Sequence, residues 1–407
     1  MQKPLFSILI CTVGKPELTK IAVQSILNQS FRDFEIVVTD TSATKNISDI
    51  VACFKDPRVV FFEVPGRDPS AGWDFAYTKS SGEYILWYDD DNSLVPWALE
   101  RYKKNIEETG ADIVSGNHVY YYGPGNRHDP QHDNTLSVLF PFSLQRKTYR
   151  PEDVIAAFYD FSAGKEKMPP RWHSAATFVS RAVCEEVRRR TGNVITPGLR
   201  GNFHFHPLLF AYAQKPVYDD RPLCVIGKFA SSETQQWSMA STQERKTKTF
   251  ARPYRLTGLS ARTLWNTAAE CYLRAQELIP EKLGHYKVNL EKLFKTYLEE
   301  LVLIELPLLK HFFHWKEFWL AAAKLPSWKK EALRRQIIKG FIESLVIRLA
   351  RFLKIWNLLR KIARRRVAQN PLRKLVDLKK YQIFSILECA AKLDLIMSRE
   401  FNLKIRE

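Results

Sequence analysis

The first 120 residues alternate between short apolar runs and amphipathic, helix-like segments. In chain order, the strand-like and helix-like segments lie at 5–12, 16–28, 34–39, 59–63, 71–80, 84–88 and 96–109, and a further strand begins at 112. Continuous apolar runs of this length are typical of parallel strands that are buried on both faces. Repeated strand–helix–strand units imply a doubly wound sheet. The sequence therefore predicts an α/β fold with a mostly parallel sheet flanked by helices.

Acidic residues stand where two of these strands end. Asp40 follows the strand at 34–39, and the run Asp89-Asp90-Asp91 follows the strand at 84–88. Ligands of such sheets bind beyond the carboxyl ends of the strands. Carboxylates in a D-x-D pattern suit Mg²⁺ or Mn²⁺, which would link them to a diphosphate. The alternative is an acidic turn that ends the strand and caps the next helix.

Four segments resemble the family 2 glycosyltransferases, which have the GT-A fold. They are the opening strand at 4–12, residues 25–31 (SILNQSF), residues 33–38 (DFEIVV), and residues 82–85 (GEYI) before the Asp run. The resemblance continues more faintly to about residue 235, where 222–227 and Ser231-Ser232 look like the closing motif of one subgroup.

This resemblance assigns roles to individual residues. Thr12 would line the nucleobase pocket, and Asp40 would contact the base or ribose, although a helix-capping role for Asp40 is the alternative. Asp89 and Asp90 would bind the nucleotide-sugar. Asp91, together with Asp89, would hold Mn²⁺ or Mg²⁺.

The catalytic base is not evident from the sequence. The family generally supplies Asp or Glu, but the corresponding region, 201–207 (GNFHFHP), has no carboxylate. His204 and His206 are candidate bases because imidazole titrates near neutrality, and their spacing would place both on one face of a strand. Structural histidines or a His-x-His metal site are the alternatives. The sequence does not rank three further candidates: Asp160, Glu233 and His173.

Basic residues in the middle of the chain could stabilise a departing diphosphate. Arg171, beside Trp172 and His173, and Lys228 are the candidates. The alternative for each is a solvated surface charge.

The chain carries a formal net charge of +18, and a dense basic segment lies near its C-terminal end. Residues 328–366 contain thirteen Lys and Arg residues but only two Glu. Their amphipathic helical pattern fits insertion at an anionic membrane surface. Alternatively, the apolar stripe packs on the catalytic domain. No motif of a nucleic-acid reader is present, so no nucleic-acid partner is expected.

A composition change near residue 250 predicts two domains. Residues 1–250 would form the GT-A domain, with nucleotide-sugar binding in 1–118 and the acceptor side in 119–250. Residues 251–407 would form a basic α-helical C-terminal domain. The six dispersed cysteines are typical of reduced thiols, so we expect a cytoplasmic protein. The basic segment would place it peripherally on the cytosolic face of the membrane.

The resulting hypothesis is a metal-dependent, inverting glycosyltransferase. It would move a sugar from a nucleoside-diphosphate sugar to a glycan or lipid-linked acceptor in cell-surface polysaccharide synthesis. One alternative is a nucleotidyltransferase, which would be expected to carry a Gly-rich basic loop where this chain has 13–16 (VGKP). The other is a non-catalytic, GT-A-like binding module associated with the membrane.

Overall fold

The computed structural model of the chain describes the following residues: 3–42, 47–64, 69–124, 133–139, 141–161, 172–193, 201–229, 254–259, 263–303, 318–323, 325–327, 329–335, 338 and 373–406.

Within these residues the helices and strands follow one another in a fixed order. They are β1 (Phe6–Thr12), α1 (Pro16–Leu27), β2 (Phe34–Asp40), α2 (Ile47–Ala52), β3 (Val59–Glu63), α3 (Pro69–Lys79), β4 (Tyr84–Asp89), β5 (Asn92–Leu94), α4 (Ala98–Thr109), β6 (Ile113–Tyr122), β7 (Thr135–Leu139), β8 (Arg146–Thr148), α5 (Pro151–Tyr159), β9 (Thr177–Ser180), α6 (Arg181–Thr191), α7 (Gly201–Phe210), β10 (Pro216–Lys228), α8 (Leu264–Leu278), α9 (Pro280–Leu283), α10 (Leu290–Leu303), β11 (Arg373–Asp377), α11 (Ile386–Ala391) and α12 (Leu393–Phe401).

Four parallel strands in the order β3-β2-β1-β4 form the part of the sheet that carries the candidate site. All seven residues of β1 are buried, as expected for a strand covered on both faces. β1 pairs with β2 as far as Thr12 opposite Asp40, and with β4 as far as Cys11 opposite Asp89. The three strands therefore end at the same edge, and the predicted parallel α/β sheet is confirmed.

The sheet continues as a mixed sheet beyond β4. β9 lies antiparallel between β4 and β6, and β6 runs parallel to β10. β10 also carries the short strands β5 and β8, both antiparallel to it. The sequence did not predict β5, which turns back immediately after the Asp run and pairs with β10.

Residues 201–207 are helical, so the expectation of a strand with two histidines on one face is wrong. They lie in α7, whose last five residues are all buried. The alternating His-x-His pattern imitates a strand. However, the segment has no β-branched residue, and such residues are what favour the extended conformation. A helix that is apolar on most sides is typical of burial in a protein interior.

The contacts within the chain define two compact units. One consists of Met1–Ala157, Ala163–Ser238 and Lys374–Glu407, and the other of Phe158–Ser162 and Met239–Arg373. The second unit contains the helices α8 to α10. The boundary near residue 250 stays a prediction, but residues 374–407 group with the first unit and not with the helical region.

The C-terminal segment is built into the core of the first unit. β11 extends the sheet beside β7, and α11 contacts α1, β5 and β10. Ile386, Leu393 and Ile396 are buried in the same apolar cluster as Leu94. Trp97 also donates a hydrogen bond from Nε1 to Asp394 Oδ2 at 3.0 Å. The last 30 residues thus support the strand that follows the Asp run.

Two other features of the described residues concern the cysteines and the length of the helices. All six cysteines are free thiols, and only Cys53 is exposed. Among the described helices, none has both the length and the apolar character that a membrane span needs. Most of the basic segment 328–366 lies outside the described residues.

We predict that a cavity in the C-terminal segment destabilises the first unit. Ile396 is fully buried, whereas Leu395 is 41% exposed in the same helix. Ile396→Ala should lower the free energy of unfolding by about 2–5 kcal/mol. Leu395→Ala should change it by less than about 0.5 kcal/mol. Urea denaturation followed by circular dichroism measures both, and equal effects of the two variants would contradict this packing.

Candidate functional site

The edge where β1, β2 and β4 end is lined by four carboxylates, which we call the acidic rim: Asp40, Asp89, Asp90 and Asp91. The sequence predicted that Thr12 and these four residues would lie together, and the strand register places them at one edge of the sheet. Their side chains nevertheless have different surroundings.

Asp90 faces β1 and the turn that follows it. Its Oδ2 accepts a hydrogen bond from the Thr12 hydroxyl at 2.8 Å, and Lys15 Nζ lies 3.5 Å from its Oδ1. The Thr12 hydroxyl is also 2.9 Å from that of Thr19. Burial raises the pKa of Asp90 to about 6, although the charge of Lys15 opposes this shift. Asp90 therefore anchors the β1–α1 turn, and nothing in the sequence indicated Lys15 as its partner.

Asp89 faces the opposite side, toward β10. Asn92 donates from Nδ2 to its Oδ2 at 3.4 Å. Burial, followed by repulsion from Asp91 and Asp90, raises the pKa of Asp89 well above its usual range, and Lys228 partly opposes this. A cation at this position would relieve the repulsion.

Asp91 is the last residue of the turn from β4 into β5, and its backbone packs against β10. A Cβ on Gly227 would lie 1.9 Å from the carbonyl oxygen of Asp91, so position 227 accepts only glycine. Gly227 also donates its N–H to Asn92 Oδ1 at 3.3 Å. The Asp91 side chain is partly exposed, and its backbone is fixed by this close approach. The only sequence signal for Gly227 was its place in the closing motif.

Asp40 joins two loops. Its Oδ1 accepts from the N–H of Ser42 at 2.9 Å and of Gly14 at 3.3 Å, and its Oδ2 accepts from the Ser42 hydroxyl at 2.9 Å. Gly14 has φ of 65°, a conformation that favours glycine. Asp40 thus makes turn contacts here, and its contact with a nucleotide stays a prediction.

The donor set at the rim fits a hard divalent cation that is shared with a substrate. Among the described residues, no group of three His, Cys, Asp or Glu side chains is arranged to hold a metal by itself. Mg²⁺ is commonly held by one or two carboxylates together with substrate phosphates and water. Asp89 and Asp91, both partly exposed, can supply those carboxylates.

The candidate bases lie in different places. His206 is buried in α7, and burial lowers the pKa of its imidazole to about 4. The side chain of His204 lies outside the described residues, as do Glu233 and Arg171. Asp160 belongs to the second unit, where it pairs with Lys292 and Asn289. The assignment of His204 or His206 as the base stays a prediction.

His173 is part of a polar cluster that the sequence did not reveal. Its ring centroid lies 5.1 Å from that of His118, and the Tyr120 hydroxyl is 3.1 Å from His118 Nε2. Lys228, which lowers the pKa of Asp89, lies over the Tyr120 ring at 5.4 Å. His173 Nδ1 accepts from the N–H of Ala175, so its neutral ring carries the proton on Nε2 and is a hydrogen-bond donor there. The cluster extends the polar surface from the acidic rim onto β6.

This combination of a parallel sheet, acidic residues at its carboxyl edge and flanking lysines is typical of α/β domains that bind nucleotides. Residues 7–167 match the family model described as "Glycosyl transferase family 2". Residues 7–167 are therefore similar to glycosyltransferase family 2, as the motifs predicted.

Curated relatives agree with this assignment over the N-terminal part. An uncharacterized glycosyltransferase of Rickettsia bellii is 31% identical over 103 residues, which are 25% of this chain and 15% of the relative. The GalNAc(5)-diNAcBac-PP-undecaprenol beta-1,3-glucosyltransferase of Campylobacter jejuni is 27% identical over 114 residues, 27% of this chain and 37% of the relative. The match thus spans well under half the length of either relative.

Among solved structures, S. aureus TarS 1–349 in complex with UDP-GlcNAc aligns with a TM-score of 0.45 and 14% identity. The alignment covers 85% of this chain and 91% of TarS 1–349.

We predict that the metal-free acidic rim lowers stability as pH rises. The pKa of Asp90 is about 6 in the folded protein, above the value near 3.9 of an unfolded chain. The folded state therefore binds the extra proton between about pH 4 and 6, and stability is lost across that window as pH rises. Asp90→Asn should reduce this loss by on the order of 2–3 kcal/mol.

The measurement is urea denaturation in EDTA at pH 4.5 and pH 7. Asp153→Asn, which removes an exposed carboxylate in α5, is the matched control. If wild type and Asp90→Asn lost equal stability between the two pH values, the proposed burial of an ionised Asp90 would be wrong.

Proposed function

We propose that this protein is a metal-dependent, inverting glycosyltransferase that takes a nucleoside-diphosphate sugar as its donor. The observation that carries the proposal is that the three consecutive aspartates at the end of β4 have different partners. Asp90 is held by Thr12 and Lys15, which leaves Asp89 and Asp91 as the partly exposed carboxylates of the rim. The match of residues 7–167 to the glycosyltransferase family 2 model supports the same activity.

In this proposal, each rim residue has one task. Asp91 and Asp89 hold Mn²⁺ or Mg²⁺, which offsets the charge of the departing nucleoside diphosphate. Thr12 and Asp40 border the nucleobase and ribose, and Asp90 keeps the β1–α1 turn in place beside them. Lys228 adds positive charge next to Asp89, where a leaving diphosphate develops negative charge.

The acceptor in this proposal is a glycan or a lipid-linked glycan of cell-surface polysaccharide. Residues 328–366 would bring the enzyme to the cytosolic face of the membrane through their basic amphipathic pattern. An enzyme of this kind needs a base for the acceptor hydroxyl, and His204 and His206 remain the proposed candidates.

A panel of nucleotide-sugars with and without Mn²⁺ tests the function directly. We expect Asp91→Asn to weaken Mn²⁺-dependent binding of the donor at least about a hundredfold, because even outer partners of metal ligands contribute 10–100-fold to affinity. Isothermal titration calorimetry measures this affinity, with the donor that stabilises the wild type in the panel. Asp153→Asn keeps the same change of charge at an exposed position and should bind normally. Unchanged affinity of Asp91→Asn would overturn its assignment as a metal ligand.

Membrane association requires a test that leaves the core intact. Deleting the chain from residue 328 would also remove β11, α11 and α12, which belong to the first unit. We therefore expect the triple substitution Arg364→Gln, Arg365→Gln and Arg366→Gln to reduce sedimentation with anionic liposomes severalfold, since each basic residue contributes about 1 kcal/mol near such a surface. Arg189→Gln, at an exposed position, is the control. Equal sedimentation of the wild type, the triple variant and Arg189→Gln would refute membrane docking.

A further inference from the structure

A basic cavity lies in the first unit, apart from the acidic rim. Its volume is about 360 Å³, and it is open to solvent. The lining residues, which we call the anion pocket, are Arg101, Lys104, Glu108, Leu144, Gln145, Arg146 and Arg221. They come from α4, from the start of β8 and the two residues before it, and from β10.

A buried carboxylate fixes two of the arginines. Asp219 is completely buried, and its Oδ2 accepts from Arg101 Nε at 2.6 Å while its Oδ1 accepts from Arg221 Nη1 at 3.1 Å. Both guanidinium side chains are themselves largely buried, with 10% and 13% of their surface exposed. The two cations are therefore held in place before any ligand arrives.

The same network extends to a third arginine at the mouth of the cavity. Buried Asn105 donates from Nδ2 to Asp219 Oδ2 at 3.0 Å and accepts at Oδ1 from Arg146 Nη1 at 3.1 Å. Arg146 also pairs with Glu108 at 2.5 Å. Because Asn105 is fixed from both sides, it orients Arg146 relative to the buried pair.

The side chains that line the cavity are mainly basic. Arg101, Lys104, Arg146 and Arg221 are cations, and Glu108 is the acid among the lining residues. Cations held close together in fixed positions favour a compact oxyanion. A phosphate monoester carries −1.5 to −2 at neutral pH, and guanidinium groups bind phosphate oxygens in a bidentate geometry. The cavity volume also falls within the range of small-molecule sites.

We propose that the anion pocket binds a phosphate group, either of a free phosphate compound or of a phosphate carried by a lipid. The pocket is separate from the acidic rim, because Asp219 and Gly227 stand eight residues apart on β10, which corresponds to roughly 25 Å along a strand. Binding there needs neither the divalent cation nor Asp91.

Titration with inorganic phosphate at constant ionic strength, with chloride as the reference salt, tests the pocket by thermal shift and calorimetry. Arg146→Gln should weaken phosphate binding about tenfold, as expected for one charge-assisted hydrogen bond. Glu108→Gln should strengthen it severalfold, because it removes the negative charge from the wall. Arg189→Gln, at an exposed position of α6, should leave it unchanged.

The opposite effects of Arg146→Gln and Glu108→Gln distinguish a pocket from general attraction to a basic protein. A wild type that responds equally to phosphate and chloride would overturn the proposal, as would equal losses in Arg146→Gln and Arg189→Gln. Asp91→Asn should retain phosphate binding, so failure of the donor site and failure of the anion pocket are separable.

Vesicles of phosphatidylcholine with and without phosphatidic acid identify the source of the phosphate. If a lipid supplies it, Arg146→Gln reduces binding to the phosphatidic acid vesicles. If a free compound supplies it, Arg146→Gln changes the phosphate titration alone.

Discussion

Three consecutive carboxylates at the end of one buried strand repel one another, and the residues around them are arranged to separate their charges. Strand alternation turns Asp90 toward Thr12 and Lys15, whereas Asp89 turns toward Asn92 and Lys228. Burial raises the pKa of Asp89 and of Asp90, and repulsion from neighbouring carboxylates adds to both shifts. A divalent cation beside Asp89 would relieve this repulsion, which is why the proposed function places a metal-bound diphosphate there.

The position of the Asp run depends on strands that come much later in the chain. β5 follows the run directly and is paired with β10, where Gly227 allows the backbone of Asp91 to approach. α11 also packs on β5 and β10. A chain that ended after its second unit would lack this support. The C-terminal segment is therefore part of the framework that fixes the rim, although it is almost 300 residues from Asp91 in sequence.

The sequence predicted the local parts of this arrangement well. β1, β2 and β4 are mainly apolar runs, so their type and their ends could be predicted with little error. The rim residues Asp40 and Asp89 followed from the strand ends. Prediction failed where local pattern and tertiary context disagree. The alternating histidines of α7 imitate a strand, and the three-residue strand β5 is too short to have a pattern of its own. Lys15 and His118 also gave no signal, because their partners Asp90 and His173 lie 75 and 55 residues away.

Asp90 and Asp219 show why a residue type alone does not identify a site. Both are buried aspartates at a sheet, but Asp90 has one lysine and two neighbouring carboxylates, whereas Asp219 is bonded to two arginines. The proposed cation site lies at the first, beside further carboxylates, and the proposed anion pocket lies beside the second, where two arginines bind one carboxylate. The difference arises from pairings between β10, α4 and β8 that bring residues 101, 146 and 221 together. Such pairings are properties of the folded chain, so the sequence could indicate the rim, whose acids follow recognisable strands, but not the anion pocket.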